Sequence, residues 1–218
     1  MKILATADYH SDREAFRKTA LKAEECEVNV VLICGDITHF GSIEEAKELL
    51  QSIADIEPVI LFIPGNCDPP SLTENLGNLE CIHGRCKQIS NINFSGVGGS
   101  SPSPFDTPFE LTEEEIAELL NRGYRDCDKN MRSVLVSHSP PKNTLVDVTS
   151  ERDHVGSTSV RDFIESTKPS LVVCGHIHES AGIDEINGSI IVNPGPARHK
   201  HCVLISLTDK IKIELDHL

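Results

Sequence analysis

Apolar residues come in short runs along this chain, and polar residues collect where those runs stop. "KILATA" from Lys2 predicts a strand, as do "VNVVLICGD" and "PVILFIPGN"; the unbroken apolar centre of the second predicts burial on both faces. Between them, "SDREAFRKTALKAEEC" carries Ala15, Thr19 and Lys22 at helical spacing, with Asp12 in the first turn. "SIEEAKELLQSIADI" predicts a second helix, with Ser42 as its cap and Glu45 as the box partner. Strand, helix, strand, helix, strand is the order of a parallel sheet with crossover helices.

The pattern then changes. "LECIHGRCKQISNINFSGVGGS" predicts short strands with turns at His83-Gly84 and Asn91, and "SPSPFDTPFE" a proline-rich loop. "LTEEEIAELLNRG" predicts a helix capped by Thr112 with Glu115 as box partner. "MRSVLVSHSPP" predicts a strand ending at His138, residues 140–156 a long aperiodic loop, and "STSVRDFIESTKP" a helix. "SLVVCGHIH" predicts a strand, and the remainder antiparallel strands turning at Asn187-Gly188 and Thr208-Asp209. No linker or repeat divides the chain, so one domain spanning 1–218 is expected.

Composition removes several functions. The formal net charge is -14, with no run of Lys and Arg, so the surface repels a nucleic-acid duplex. Trp is absent and Tyr occurs twice, which leaves no platform for stacking bases. No apolar stretch is long enough to span a bilayer, and the start "MKILATADYHSD" does not read as a leader; a soluble cytoplasmic protein is expected. The eight cysteines lack zinc-ribbon or redox spacing. Cys34 and Cys174 sit inside apolar runs and read as small buried hydrophobes in a reducing compartment. The sequence does not set the oligomeric state, and a homodimer is compatible with it.

The candidate chemistry lies at the strand ends, where ligands bind in parallel sheets. Asp8 and His10 follow the first strand, Asp36 the second, and Asn66 the third with Asp68 close by. His138 follows a later strand, and His176 and His178 another. If the last strand continues through "GHIH", His176 and His178 share a face, as a hydrogen-bonding pair or as part of a metal site. Two Asp, one Asn and four His are oxygen and imidazole donors suited to two divalent ions sharing a carboxylate. Asp68 reads either as a group that orients a ligand or as a turn residue before "PP". His39, three residues after Asp36, is a candidate substrate contact, as are His154 at the end of the long loop and Arg198 after "NPGP". His83 reads as a turn residue and His217 as part of a frayed terminus.

"DYH" from Asp8, "GD" at Gly35, "GNCD" from Gly65, "SH" at Ser137 and "GHIH" from Gly175 resemble, in order and spacing, the motifs of the calcineurin-like metallophosphoesterase family. "VNPGPAR" after the last of them also resembles that family. The resemblance implies an α/β fold: a two-sheet sandwich flanked by helices. It implies that Asp8, His10, Asp36 and His178 hold one metal and that Asp36, Asn66, His138 and His176 hold a second. His176 and His178 would then serve different ions. The metals implied are two per chain, from Mn, Fe, Zn, Ni or Co. A bridging hydroxide would attack phosphorus, with Asp36, Asn66, Asp68 and His138 as the catalytic set. Asn66, His39, His154 and Arg198 would face the substrate.

One position departs from the family pattern. Cys67 stands where the family has a histidine that binds phosphate or assists the leaving group, and a thiol is no imidazolium. Family members with "GNCD" include small phosphodiesterases, so the expected substrate is a small phosphodiester. Two alternatives stay open: a phosphomonoesterase or phosphoprotein phosphatase, and a non-enzymatic protein-binding scaffold.

Overall fold

The computed structural model describes residues 1–218. Two six-stranded sheets face each other. The first has the order β12-β11-β1-β2-β3-β4 and the second β5-β6-β7-β8-β10-β9. Strands β1 (Lys2–Thr6), β2 (Val30–Cys34), β3 (Val59–Ile63) and β4 (Leu79–Cys81) are parallel. Helices α1 (Arg13–Glu25) and α2 (Ile43–Gln51) make the first two crossovers. The second sheet takes β5 (Cys86–Ile89), β6 (Ile92–Val97), β7 (Arg132–Ser137) and β8 (Leu171–Val173), with α3 (Glu113–Arg125) and α4 (Thr158–Thr167) as crossovers.

The tail forms two hairpins, β9 (Gly182–Ile186) with β10 (Ser189–Asn193) and β11 (His201–Leu207) with β12 (Ile211–His217). The hairpins join different sheets. β10 lies parallel to β8 in the second, and β11 lies antiparallel to β1 in the first. His217 pairs with His201 in β12, so the expected frayed end is a strand.

Alternation of side chains along each strand builds the layers. Ile3, Ala5, Leu32, Leu61 and Ile63 point between the sheets and meet Phe94, Val134, Val136 and Val173. Leu4, Val31 and Ile33, the intervening residues, pack outward on Phe16 of α1 and on Leu49 and Leu50 of α2. On the other side Leu135, Val172 and Ile191 pack on Ile116 and Leu120 of α3 and Val160 of α4. The central strands are therefore covered on both faces, as the unbroken apolar run of β2 predicts, while the edge strands β5, β9 and β12 keep exposed positions. Phe94 is fully buried between the sheets, and truncating it to alanine is expected to cost about 3–5 kcal/mol.

The caps differ in two respects from expectation. At α3 the box is complete: Thr112 accepts from the Glu115 amide and Glu115 accepts from the Thr112 amide. At α2 Ser42 accepts from the Glu45 amide, but the Glu45 carboxylate accepts instead from the Ser11 hydroxyl, 2.7 Å away. Ser11 lies in the loop after β1, so Glu45 ties α2 to that loop. Asp12 is the N-cap of α1 rather than a first-turn residue.

Candidate metal centre

Five segments meet where β1, β2, β3, β7 and β8 end. Their loops are cross-linked through the backbone: the Tyr9 and His10 amides both donate to the Asp36 carbonyl, and the Asp8 amide donates to that of Gly35. Tyr9 anchors the first loop from within the core, stacked on Phe16 and hydrogen-bonded to Thr6 and Thr19. Asp8, His10, Asp36 and His176 all have positive φ, between 48° and 71°. Residues other than glycine rarely adopt this conformation, and it clusters at functional sites where surrounding structure enforces it. Two motif glycines give the donors room. A Cβ on Gly35 would stand 2.4 Å from His138 Nδ1, and one on Gly65 would stand 2.1 Å from Asp36 Oδ1.

Asp36 lies at the centre, and its two oxygens face different partners. Oδ1 is 3.4 Å from His138 Nε2, which is itself 2.9 Å from Asn66 Oδ1. Oδ2 is 3.6 Å from His10 Nε2, which is itself 3.1 Å from His178 Nε2. Asp8 Oδ1 lies 3.7 Å from His178 Nε2. The donor atoms of Asp8, His10 and His178 fall within 4.8 Å of one another, as do those of Asp8, Asp36 and His138. These are two candidate metal-binding clusters joined through Asp8 and Asp36.

The donor set fits divalent ions. His138 Nδ1 contacts the Cys34 carbonyl at 2.8 Å, which fixes the proton on Nδ1 and turns the Nε2 lone pair toward two acceptor oxygens. Converging acceptors repel unless a cation lies among them. His10 Nδ1 is buried with no partner. Burial holds the pKa of His10 and of His176 down at about 4, against the opposing pull of Asp36 and Asp8, so both imidazoles are neutral, as ligation requires. Burial raises the pKa of Asp8, but the approach of His178 and the surrounding imidazoles outweigh it and bring it below the usual value.

The two histidines of "GHIH" do not lie on a strand. β8 stops at Val173, His176 turns with φ +71°, and His178 opens a short 3-10 turn. The shared-face geometry of a continuing strand is thus absent. The His178 ring lies 5.1 Å from that of His10, and the His176 ring 5.2 Å from that of His138. The backbone amide of His176 donates to both oxygens of Asp8.

Asp68 is fully buried and accepts from the amides of Gly65, Ile37 and Thr38 and from the Thr38 hydroxyl. It clamps the Asp36 loop to the Asn66 loop. Burial and nearby Asp36 raise its pKa to about 6. The Cys67 amide donates to Asp36 Oδ1 at 2.9 Å, while burial and Asp36 push the Cys67 thiol far above its usual range. His39 is exposed, stacked on Phe40, and set edge-on to His10. A His39 ring nitrogen, the Cys67 sulfur and a His10 nitrogen lie within 4.8 Å of one another. Arg198 reaches His178 Nδ1 at 3.4 Å, and its Nε is buried without a partner.

His154 is engaged elsewhere. Its Nδ1 lies 2.7 Å from Asp147, a buried carboxylate that also accepts from the Asn143, Thr144 and Gly156 amides. Asp147 folds the long loop onto itself, and no period or motif in the sequence marks it. Glu113 does the same between α3 and α4, accepting from Ser101, Ser157 and Ser159. A cavity of about 570 Å³ opens beside His176, with Phe105, Val155, Glu151, Asp153 and Glu179 in its wall.

The expectation that the cysteines are unpaired fails for two. Cys86 and Cys127 form a disulfide joining β5 to the residue beyond the cap of α3. They are 41 residues apart in sequence and 5.6 Å apart at Cα, so only the tertiary fold reveals the pairing. Cys34 and Cys174 are free and buried, as expected. No helix is long and apolar enough to cross a membrane.

The helix-flanked sandwich and its two donor clusters have the architecture of a metal-dependent phosphoesterase. A profile of the calcineurin-like phosphoesterase family matches residues 1–180, and the chain belongs to that family. Uncharacterized protein MJ1162 of Methanocaldococcus jannaschii is 42% identical over 203 residues, covering 90% of this chain and 88% of that protein. A protein of Vesicomyosocius okutanii named "Probable cyclic nucleotide phosphodiesterase" is 27% identical over 189 residues, covering 83% and 76%. The crystal structure of TT1561 of Thermus thermophilus superposes with a TM-score of 0.78 at 17% identity, covering 98% of each chain.

Proposed function

We propose that residues 1–218 form one dinuclear metallophosphoesterase domain that hydrolyses small phosphodiesters. The observation that carries this is Asp36, whose two oxygens face two separate donor groups. Asp8, His10, Asp36 and His178 would hold one ion, and Asp36, Asn66, His138 and His176 the other. When bound, such ions supply Lewis acidity toward phosphoryl oxygens and a water ionised at neutral pH.

The chain's own groups do the rest. Arg198, with its unpartnered Nε beside His178, orients a non-bridging phosphoryl oxygen. His39 stands beside Cys67, where the family histidine is missing, and delivers a proton to the departing oxygen. Asp68 holds the two ligand loops in register and is a positioning residue.

The substrate charge favours a diester. Glu151, Asp153 and Glu179 line the cavity beside His176 and disfavour the second negative charge of a monoester. Cys67, held as a neutral thiol, offers no cation to offset that charge. The relative named as a cyclic nucleotide phosphodiesterase supports the same substrate class. The net charge of -14 argues against a nucleic-acid polymer as substrate.

The test uses metal-stripped protein repleted with Mn, Fe, Zn, Ni or Co in turn. Rates are compared on bis-p-nitrophenyl phosphate, p-nitrophenyl phosphate and cyclic nucleotides. The diester is expected to exceed the monoester in kcat/KM by about tenfold or more. A faster monoester would make the protein a phosphomonoesterase, and no turnover with any metal would leave a scaffold.

A further inference from the structure

Three of the nine arginines in this acidic chain pair with carboxylates. Arg13, Arg17 and Arg161 pair with Glu48, Glu14 and Glu165, and Arg132 donates to the Thr208 carbonyl. Arg85, Arg122 and Arg125, like Arg132, Arg152 and Arg198, pair with no carboxylate, although Asp and Glu outnumber Lys and Arg by 34 to 20. The first three line one cavity of about 950 Å³ between the turn after β4 and α3. None of the metal-centre residues lines it. Glu115 and Glu118 are also in the wall, and neither pairs with an arginine; Glu115 serves the cap of α3.

A largely buried histidine presents its one free donor at this wall. His83, expected from sequence to be a turn residue, is 7% exposed and part of this cavity. Its Nδ1 accepts from the Gly98 amide at 2.9 Å, so its proton is on Nε2. That Nε2–H has no partner in the protein. Burial, with Arg122 and Arg85 adding to it, holds the His83 pKa down at about 4, which keeps this tautomer neutral.

One of the three arginines, Arg122, is also pre-positioned. Arg122 Nε donates to the Gly84 carbonyl at 3.1 Å, and its guanidinium lies over Gly84 where a Cβ would be 2.2 Å from Nη2. Gly84, with φ +62°, is the residue type that allows this approach. Arg85 directly precedes Cys86, and Arg125 lies two residues before Cys127, so the disulfide ties together the two arms that carry them. Phe109, Leu111 and Tyr124 add apolar surface to the same wall.

We propose that this cavity is a binding site for a small organic phosphate monoester, separate from the metal centre. Arg85, Arg122 and Arg125 receive its oxygens together with His83 Nε2–H, and the apolar surface receives its organic part. Three planar guanidinium groups outnumber the two carboxylates of this wall, Glu115 and Glu118, and suit a dianionic oxyanion. The cavity beside His176, by contrast, has Glu151, Asp153 and Glu179 in its wall and no arginine.

The test is a ¹⁵N–¹H NMR titration of the full chain in zinc, with phenylphosphonate, inorganic phosphate and, as a neutral control, benzyl alcohol. Each is titrated into wild type, Asp36→Asn and Arg85→Gln/Arg125→Gln. Phenylphosphonate is expected to shift the Gly98 amide and the Arg122 Nε–H saturably, equally in wild type and Asp36→Asn. Arg85→Gln/Arg125→Gln, at two exposed side chains without protein partners, is expected to weaken binding about tenfold or more while the amide spectrum stays folded. Inorganic phosphate is expected to bind the same residues more weakly, for lack of the organic part. Absence of saturable shifts at Gly98 and Arg122, unchanged affinity in the double variant, or equal binding of benzyl alcohol would overturn the proposal. Equal affinity for inorganic phosphate would overturn the organic part of it.

Discussion

Buried carboxylates occur in two regions of this protein and meet opposite surroundings. Asp147 takes its hydrogen bonds from its own loop: three amides, a hydroxyl and His154 surround it. At the strand ends, Asp36 receives one amide and otherwise faces imidazole nitrogens, one of which also faces the Asn66 oxygen. A carboxylate satisfied by N–H groups holds a chain in place. One surrounded by lone pairs is arranged for a cation. Asp68 shows that proximity to the cleft is not enough to decide: it lies between the ligand loops but is bonded like Asp147.

Substitutions separate the two kinds. Asp36→Asn removes charge that both clusters share and is expected to lower kcat by about 10³-fold or more with the fold intact. Near-normal turnover with metal bound would place the bridging role elsewhere. His39→Ala is expected to cost about 10- to 10²-fold on alkyl diesters and far less on nitrophenyl diesters, whose leaving group needs no proton. A uniform loss across a leaving-group series would make His39 a phosphate contact rather than a proton donor.

Asp147→Ala acts on the other kind. It strands the amides of Asn143, Thr144 and Gly156, and is expected to destabilise by about 2–4 kcal/mol in denaturant melts. A loss below ~0.5 kcal/mol would mean that the loop is held by other contacts.

Much of this was legible in the sequence. The apolar runs marked the strands of both sheets, and a polar motif directly after a run marked each candidate ligand position. The structure brings Asp8, His10, Asp36, Asn66, His138, His176 and His178 to one place, as five strand ends converge. What periodicity could not show was set by tertiary contacts. Asp147 and His154 meet inside an aperiodic loop, the partners of Glu113 and His83 come from separate segments, the Cys86–Cys127 pair closes across 41 residues, and His176 takes a left-handed turn beyond the end of β8. The two hairpins of the tail were visible, but their division between sheets was not, because pairing partners depend on where earlier strands have already packed.

Glu113 gives a pH test of the satisfied class. Burial would raise its pKa, but hydrogen bonds from Ser157, Ser159 and Ser101 outweigh this and hold it at about 2. A carboxylate depressed in the folded state adds stability above its unfolded pKa of about 4.3, and that stability is lost as pH falls toward 2. The stability gap between wild type and Glu113→Gln should therefore be widest above pH ~4.5 and narrow at lower pH. A gap that stays constant with pH would assign the effect to packing. The smallest expected effect is that of Cys67→Ser: the thiol takes part in no proposed step, so kcat/KM should stay within about twofold. A hundredfold loss at constant metal content would make Cys67 a chemical participant.

The central claim is that the lone pairs around Asp36 are arranged for two cations, and metal stoichiometry tests it most directly. Protein stripped with chelator, repleted with a divalent ion and freed of excess should contain about two ions per chain by elemental analysis. Asp36→Asn should retain fewer under the same conditions. Saturation near zero in the wild type, with the fold intact, would contradict the account.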